Sequence, residues 1–331
     1  MKALVYTGPE NLDFRDVGMP VPSTGEQLIR VERVGICGSD MHAYLGHDDR
    51  RPAPLLLGHE AAGVIIGGPR DGERVTVNPL VTNPESWASR EGRDNLCPDR
   101  QIISMPPREG AFAQFLTMPD TNLVPIPDHS SMDHAALAEP IACGWHAVRL
   151  AKRVLFDGGQ DTRALVIGGG AIGLGAALSL MAQDIRDVTL LEPNAARRDA
   201  IAKNADLNLI DLSDLADMGL FDLVVDGVGF EATRATASGQ VKPGGVIMHI
   251  GLGDSTGGLD IRRMTLQEVT FIGTYTYTAQ DFRDTAQAIF DGRVGSLDWT
   301  EMRPLSDGAR AFAAIRSSAV AAPKILLDPT A

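Results

Sequence analysis

The sequence predicts an α/β protein with two domains, one built on a parallel sheet and the other an irregular β domain. Its length of 331 residues suits two domains better than one. After Pro140, short runs rich in Val, Ile and Leu alternate with helical stretches, which is the pattern of a parallel sheet covered on both faces. Before Pro140, short strands are joined by Gly- and Pro-rich turns without long helices, which indicates an irregular β domain.

Individual strands can be placed in both regions, and the C-terminal tail adds one more. The β region contains LIRVERV (28–34), EAAGVII (60–66) and ERVTV (73–77), and the α/β region contains ALVIG (164–168), DVTLLE (187–192), FDLVVD (221–226) and GGVIMHIG (244–251). From Thr278 the pattern is helical and then ends in the strand-like KILLD (324–328). A tail of about 50 residues is short for a domain, so we expect it to complete the first one. The predicted domains are therefore 1–140 and 141–278, with 279–331 returning to the first.

Composition excludes several classes of partner. The formal net charge is −13 and no cluster of Lys and Arg stands out, so we expect neither nucleic acid nor an anionic membrane surface as a partner. No apolar run approaches the ~20 residues that a membrane span needs. Three widely spaced cysteines, Cys37, Cys97 and Cys143, do not form a disulfide framework and indicate a reducing cytoplasm. Cysteine chemistry in this chain is therefore expected to be metal binding or catalysis, or the cysteines have no chemical role.

A glycine fingerprint follows the first strand of the α/β region. In IGGGAIGLG (167–175), Gly168 permits a tight turn, Gly170 lets the backbone approach a pyrophosphate, and Gly173 allows close packing of helix on strand. The N-terminus of the following helix supplies N–H groups and the positive end of its dipole. The pattern predicts a dinucleotide site. The predicted cofactor contacts in this turn are Gly168, Gly170, Ala171, Ile172 and Gly173.

An acidic residue at the end of the next strand favours NAD over NADP. Glu192 lies 19 residues after Gly173, where a carboxylate accepts the ribose hydroxyls and repels a 2′-phosphate. Arg197 and Arg198 leave alternatives open, because either can meet a phosphate, Arg197 can stack on the adenine, and Arg198 can be a solvated helix residue. Further cofactor contacts are predicted at Val228, Gly251 and Leu252.

Four residues have the types that bind catalytic zinc. Cys37 lies in GICGSDMH (35–42), His59 and Glu60 in PLLLGHE, and Glu139 in LAEPIACGWH. A catalytic zinc site uses three protein ligands of these types and keeps one position open. Taken alone, a cysteine is more often a buried packing residue, a histidine a hydrogen-bonded polar residue, and a glutamate near a domain junction a solvated one. Together with a dinucleotide fingerprint, they favour a catalytic zinc site.

GICGSDMH, GHEAAG, LAEP and VIGGGAIGLGAAL, in this order, resemble the zinc-dependent medium-chain dehydrogenase/reductase (alcohol dehydrogenase) family. The resemblance is strongest to the polyol (sorbitol-type) branch, in which a Glu before Pro occupies the third ligand position, and it covers essentially the whole chain. It implies a GroES-like β catalytic domain, a Rossmann cofactor domain, and a C-terminal return to the catalytic domain. It also implies bound Zn²⁺ and NAD, a small alcohol or ketone as substrate, and assembly as a homodimer or homotetramer.

The resemblance also implies roles for individual residues. Cys37, His59 and Glu139 would hold the zinc directly or through water, and Glu60 would be an exchangeable fourth ligand or lie behind the ligands. Ser39 and His42 match the family's proton-relay positions. In the implied reversible reaction, zinc favours deprotonation of the alcohol, the proton leaves through Ser39 and His42, and hydride passes to NAD.

The chain departs from the family in the lobe that commonly holds a second, structural zinc through four cysteines. The matching loop is NPESWASREGRDNLC, and its expected ligand positions carry Asn83, Ser86, Ser89 and Cys97. One thiolate with neutral polar groups does not make a tetrahedral zinc site. We therefore expect one catalytic zinc per chain and no structural zinc.

A second departure concerns the substrate. Thr276 in GTYTY (273–277) stands where sorbitol-type enzymes have an arginine before a tyrosine. The predicted substrate is therefore a polyol, a sugar derivative or another secondary alcohol. The alternatives are a threonine-type amino-alcohol dehydrogenase and a non-catalytic cofactor-binding or structural relative. A non-catalytic relative would not be expected to keep Cys37, His59, Glu60 and Glu139 together.

Overall fold

The computed structural model describes residues 1–159 and 161–331. The chain forms two compact units, the first comprising Met1–Glu139, Thr278–Asp291 and Thr300–Ala331, and the second Pro140–Tyr277 and Gly292–Trp299. The domain boundaries drawn from the sequence at 140 and 278 stay a prediction about independently folding parts.

The first unit is a mainly antiparallel β structure with short helices. In chain order its elements are β1 (Lys2–Gly8), β2 (Asn11–Asp16), β3 (Glu26–Gly35), α1 (Gly38–Tyr44), β4 (Leu55–Leu56), β5 (Glu60–Ile66), β6 (Arg74–Val77), β7 (Leu80–Val81), α2 (Trp87–Arg90), β8 (Gln101–Ile102), β9 (Phe115–Pro119), β10 (Leu123–Pro125) and α3 (Met132–Ala135). α4 (Ala138–Ala151) begins in this unit and continues in the second. The predicted strands within 28–34, 60–66 and 73–77 are confirmed as β3, β5 and β6.

The C-terminal segment completes the sheet of the first unit. It contributes α9 (Ala279–Phe290), β17 (Thr300–Pro304), α10 (Gly308–Arg316) and β18 (Lys324–Asp328). The seven-stranded sheet has the order β10-β6-β5-β3-β18-β17, with β9 also paired to β3. Strand β18 lies antiparallel to β3, with Leu326 opposite Gly35. From α10, Phe312 packs edge-on against Phe112, with ring centroids 5.8 Å apart, in the apolar core under this sheet.

The second unit is a six-stranded parallel sheet with helices between its strands. Its further elements are β11 (Arg163–Ile167), α5 (Ala171–Ala182), β12 (Asp187–Leu191), α6 (Ala195–Ala202), β13 (Asn208–Ile210), β14 (Phe221–Asp226), α7 (Glu231–Gln240), β15 (Val241–His249), α8 (Ile261–Leu266) and β16 (Thr270–Gly273). The strand order is β13-β12-β11-β14-β15-β16, and every pairing is parallel. This is the doubly wound order of dinucleotide-binding sheets, so the predicted α/β fold class is confirmed.

Most predicted strands differ from the observed ones by one or two residues at an end, and the start of β15 differs most. β15 begins at Val241 instead of Gly244, because Val241 already pairs with Phe221 before a shift in register. The Lys-Pro-Gly-Gly segment that follows looks like a turn in the sequence, and the structure accommodates it as this irregularity within the strand. Among the described residues, no helix is long and apolar enough to cross a membrane.

Candidate active site

The end of β3 and the start of β5 bring three metal-binding side chains together. Gly35 lies opposite Glu60 in the antiparallel ladder, so Cys37, just beyond β3, meets His59 and Glu60. One ligand atom from each of Cys37, His59 and Glu60 lies within 4.8 Å of the others. This is the one such group of three or more His, Cys, Asp and Glu residues in 1–159 and 161–331.

The ring of His59 is oriented by contacts to its Nδ1 atom. This atom lies 3.5 Å from Asp40 Oδ1 and 3.4 Å from Ser104 Oγ. The other ring nitrogen, Nε2, lies 3.5 Å from Ser39 Oγ. A carboxylate beside one nitrogen of a histidine fixes the ring and increases the basicity of the other nitrogen as a ligand. Nε2 is therefore the atom of His59 available to a metal.

Asp40 was not singled out from the sequence, although it lies within the quoted motif GICGSDMH. Its carboxylate is fully buried and accepts hydrogen bonds from the backbone N–H groups of Cys37 (3.0 Å) and Gly58 (3.1 Å). Burial favours the neutral acid, but His59, Arg51 and the N–H of Cys37 hold the pKa of Asp40 below its ordinary value. Burial likewise opposes the charged imidazole, yet Asp40 and Cys37 raise the pKa of His59 well above its usual range. The signal in the sequence was an acid one turn after a candidate ligand.

Lys324 reaches the cluster from the other end of the chain, and it too was missed. Its Nζ donates to Glu60 Oε1 at 2.6 Å and to the Ile36 carbonyl at 2.8 Å. Both charged side chains are buried. The remaining oxygen of Glu60, Oε2, is also buried and has no hydrogen-bond partner in the described part of the chain. In the sequence, this lysine begins the mostly apolar run KILLD. That pattern indicates a strand and gives no sign of a role in the site.

These side chains fit a zinc ion. A thiol, an imidazole and a carboxylate are the donor types of catalytic zinc sites, and they lie close enough to share one ion. A buried carboxylate oxygen without a partner is costly unless something positive occupies its free side. Glu60 Oε2, beside Cys37 and His59, is such an oxygen. The candidate ligand set thus includes Glu60, whereas the resemblance assigned it either a ligand position or one behind the ligands.

The remaining predicted residues of this site lie nearby, with roles that stay predictions. Glu139 is buried in the first turn of α4 and is not part of the group of three. Its charge helps to raise the pKa of Lys324, so the cluster lies within its electrostatic reach. Ser39 and His42 both lie on α1, and Ser39 contacts His59 as described.

The lobe at 83–97, which keeps only Cys97 of the four expected cysteines, is held by hydrogen bonds. Ser86 Oγ donates to Ser89 Oγ at 2.9 Å, and Ser89 Oγ donates to the Asn83 carbonyl at 2.7 Å. The Asn83 N–H lies 3.4 Å from the buried Cys97 thiol. The four positions where the family has zinc ligands therefore form a cluster whose polar atoms contact one another. The absence of a second zinc stays a prediction.

In the second unit, the glycine fingerprint forms the turn between β11 and α5. Gly168 has φ +100°, which L side chains rarely adopt. A Cβ on Gly173 would lie 1.8 Å from the Gly168 carbonyl oxygen, so only glycine allows the helix to pack this closely on the strand. Ala171 and Ile172 open α5, with Gly170 as its N-cap. The local geometry matches the predicted pyrophosphate site.

Glu192 lies directly after β12 and is buried beside this turn. Its Oε2 accepts the N–H of Gly169 and its Oε1 accepts the N–H of Asn194, each at 2.8 Å. Each carboxylate oxygen can accept a second bond, so ribose hydroxyls can still donate to it. Arg198 is committed to the fold through the Glu192 carbonyl (2.6 Å) and Asp211 (3.6 Å), unlike a solvated residue.

The other predicted cofactor residues lie at the carboxyl ends of β14 and β15. Val228 is in the loop after β14, and Gly251 and Leu252 are in the loop after β15. Arg197 is on the first turn of α6, after β12. Ligands of doubly wound sheets bind at this edge, where the strand order reverses between β11 and β14. The structure thus gathers the predicted dinucleotide residues at one edge of the sheet, while their contacts with a cofactor stay predictions.

Comparisons with known proteins agree with both halves of the structure. Two family models match, "Alcohol dehydrogenase GroES-like domain" over 23–128 and "Zinc-binding dehydrogenase" over 171–291. L-galactonate-5-dehydrogenase of Escherichia coli (strain K12) is 30% identical over 309 residues, 89% of this chain and 88% of that protein. Sorbitol dehydrogenase of Bacillus subtilis is 32% identical over 271 residues, 76% of this chain and 75% of that protein.

Solved structures show the same fold. An oxidoreductase/dehydrogenase of unknown specificity from Escherichia coli superposes with a TM-score of 0.88 at 26% identity, covering 99% of this chain and 98% of that one. A short chain alcohol dehydrogenase from E. coli CFT073, solved with NADH, has a TM-score of 0.87 at 23% identity and covers 99% of both chains.

Replacing a proposed ligand should separate metal binding from cofactor binding. We expect Cys37→Ser to lose zinc on dialysis and to lower turnover about a thousandfold, because Lewis-acid activation is worth several kcal/mol. Binding of NADH should be retained, since the glycine fingerprint lies in the other unit. Zinc content, turnover and NADH titration measure the three properties, with Cys143→Ser as the matched cysteine control. A Cys37→Ser protein that keeps both zinc and substantial activity would show that this thiol is packing.

The metal content of the wild-type protein tests the lobe. We expect one tightly bound zinc per chain after dialysis, because Asn83, Ser86 and Ser89 offer no thiolates to a second ion. Elemental analysis of wild type and of Cys37→Ser gives the count. Two zinc ions per chain, one of which survives in Cys37→Ser, would contradict this expectation.

Proposed function

The chain belongs to the zinc-dependent medium-chain alcohol dehydrogenase family, and we propose that it is a zinc- and NAD-dependent oxidoreductase. It would interconvert a polyol, a sugar-derived or another secondary alcohol and the corresponding ketone. The observation that carries this proposal is the Cys37–His59–Glu60 cluster with the open Glu60 oxygen. A non-catalytic relative has no need to keep that donor set.

The chain's own residues would hold the metal and move the proton. Cys37, His59 and Glu60 would bind zinc, with Glu139 as a further ligand, directly or through water. When bound, the zinc ion favours deprotonation of the alcohol, and the nicotinamide accepts a hydride from the alcohol carbon. Ser39 Oγ, 3.5 Å from the ligating histidine, would accept the alcohol proton and pass its own proton to His42.

We propose NAD as the cofactor because of Glu192. Its buried carboxylate lies where the ribose of the adenosine half binds in dinucleotide sheets, and a 2′-phosphate there would meet a negative charge. Arg198 is already paired with the Glu192 carbonyl and Asp211, so it is a poor candidate for phosphate recognition. Arg197 remains the proposed adenine contact.

Relatives of known name act on sugar acids and polyols, which supports a hydroxylated substrate for this chain. The substrate region nevertheless differs from the sorbitol-type pattern at Thr276. This residue has φ +45°, and its buried Oγ1 has no hydrogen-bond partner among the described residues. A threonine hydroxyl in place of an arginine offers neither the positive charge nor the five N–H donors of a guanidinium group. We therefore propose a substrate recognised by hydroxyl groups rather than by an arginine at this position.

We propose further that the chain forms a homodimer or homotetramer in a reducing cytoplasm. β16 is the last strand of its sheet, and its outer edge is the kind that pairs with another chain. The adjoining α8 has no buried residue, and Ile261 and Leu266 are 62% and 72% exposed. A second copy is the occupant proposed for this edge. None of the three cysteines is in a disulfide within 1–159 and 161–331, which agrees with a reducing compartment.

Removing the carboxylate of Glu192 should weaken NAD binding and relax the choice of cofactor. Glu192→Ala would lose one or two charge-assisted hydrogen bonds to the ribose, each worth about 1.5–3 kcal/mol. kcat/KM for NAD and for NADP in wild type and variant measures the change, and the ratio within each protein is its own control. Equal use of the two cofactors by wild type would mean that a nearby arginine outweighs the acid.

The proposed activity is tested by a panel of polyols, sugar acids, sugar phosphates, threonine and simple secondary alcohols, followed by NADH absorbance. We expect turnover of at least one hydroxylated secondary alcohol and its loss in Cys37→Ser. Turnover confined to threonine would support the amino-alcohol alternative. No turnover of any member, by protein that contains zinc and binds NADH, would contradict the proposal.

A further inference from the structure

Arg234 lies on α7, and its side chain is only 7% exposed. None of its hydrogen-bond partners belongs to the proposed zinc site. All five guanidinium N–H donors are engaged. Nε donates to the Gly257 carbonyl (2.7 Å), Nη1 to the carbonyls of Gly229 (2.8 Å) and Asp254 (3.2 Å), and Nη2 to Asp254 Oδ1 and the Thr256 carbonyl. An arginine with every donor committed to backbone and one carboxylate is a fixed part of the local structure.

The acceptors of Arg234 belong to two loops. Gly229 is in the loop after β14, and Asp254, Thr256 and Gly257 are in the loop after β15. The same loops carry the proposed cofactor contacts at 228, 251 and 252. Arg234 therefore links the two loops to each other from its position on α7.

The two loops touch through their backbones. A Cβ on Gly229 would lie 2.3 Å from the Gly251 carbonyl carbon, and one on Gly251 would lie 2.1 Å from the Val228 carbonyl carbon. Asp254 N–H donates to the Gly229 carbonyl at 2.9 Å. On the far side of the first loop, Asp226 Oδ1 accepts the N–H groups of Val228 (3.0 Å) and Gly229 (2.9 Å). A surface built from bare backbone in this way suits close approach of a flat ring.

Apolar burial does not explain how the second loop is held. Leu252 is 71% exposed, and residues 254–257 are all exposed. Gly257 has φ +79° and Gly258 φ +85°, a backbone conformation that the free chain has no reason to prefer. Asp254 adds a second tie, since its Oδ2 accepts the N–H of Glu231 at the start of α7. Backbone hydrogen bonds hold the start of this loop, since the N–H groups of Gly251 and Gly253 donate to the carbonyls of Asp226 (3.1 Å) and Val228 (3.2 Å). Beyond Asp254, the polar contacts to α7, with Arg234 at their centre, hold the rest of the loop.

We propose that Arg234 is a positioning residue that sets the two loops receiving the nicotinamide half of the dinucleotide. The inference rests on the proposed NAD-dependent function and extends it to a residue that would not touch the cofactor. In a doubly wound sheet, the half that contains β11, β12 and β13 takes the adenosine part, and the half that contains β14, β15 and β16 takes the other nucleotide. Loss of Arg234 should therefore weaken binding of the whole dinucleotide while leaving the adenosine half unaffected.

The test compares NADH with ADP as probes of the zinc-loaded enzyme. We expect Arg234→Met to lower NADH affinity about tenfold, because only a fraction of molecules keeps the binding-competent loops, while the Kd of ADP is unchanged. Asp254→Asn keeps Arg234 and should give a smaller loss of the same kind, and since Asp254 is 39% exposed this variant is expected to fold. Hydrogen exchange of amides 250–258 should quicken in both variants.

Arg263→Met is the matched control. The guanidinium group of Arg263 also donates to backbone carbonyls in the second unit, those of Ser238 and Val241, but to neither loop. It should leave NADH affinity unchanged even where it lowers Tm. Unchanged NADH affinity in both loop variants, an equal loss of NADH and ADP binding, or the same loss in Arg263→Met would overturn the inference. If the wild-type protein itself bound no NADH, the proposed function would fail instead.

Discussion

The ion pair between Lys324 and Glu60 is the contact on which the site in the first unit depends. It joins the last strand of the chain to the start of β5, and both side chains are buried. Burial alone would lower the pKa of Lys324, but the nearby Glu60, Cys37 and Glu139 raise it above its ordinary value. The lysine therefore stays charged, and a buried charge without its partner would cost several kcal/mol. The C-terminal return is thus an electrostatic requirement of the site as well as the completion of a sheet.

This pair also explains the position of the glutamate. One oxygen of Glu60 is held by Lys324, which leaves the other oxygen, buried and without a hydrogen-bond partner among the described residues, beside the cysteine and histidine. Asp40 does the same for His59 by engaging Nδ1 and leaving Nε2. His59 and Glu60 thus each have one atom held by a buried charged side chain and a second atom that is left for a metal. Such fixed first contacts are what orient a ligand toward a metal.

Much of the fold and the centre of the site could be predicted from the sequence, for physical reasons that differ. The parallel strands were predictable because strands buried on both faces must be continuous apolar runs, as in β11 and β14. Cys37, His59 and the glycine turn were predictable because few residue types perform their chemistry. Asp40, Lys324 and Arg234 were not, because common charged residues acquire their roles only through partners distant in sequence, such as Gly58, Glu60 and Gly257.

In the lobe at 83–97, too, the role of a polar side chain depends on its partners. Here the partners are already present within the lobe. At the positions where the family resemblance implies thiolates, Ser86 and Ser89 donate to oxygen atoms within 2.9 Å, and Asn83 contacts Cys97 through its backbone N–H. Each group contacts another group of the lobe, whereas Glu60 Oε2 in the Cys37–His59–Glu60 cluster has no hydrogen-bond partner in the described part of the chain. A zinc ion entering the lobe would have to break these bonds in exchange for weak neutral donors. One in the catalytic cluster would instead satisfy a buried anion. Two polar clusters in one unit thus differ in whether their atoms are already paired, and that difference supports the proposal that the metal binds Cys37, His59 and Glu60.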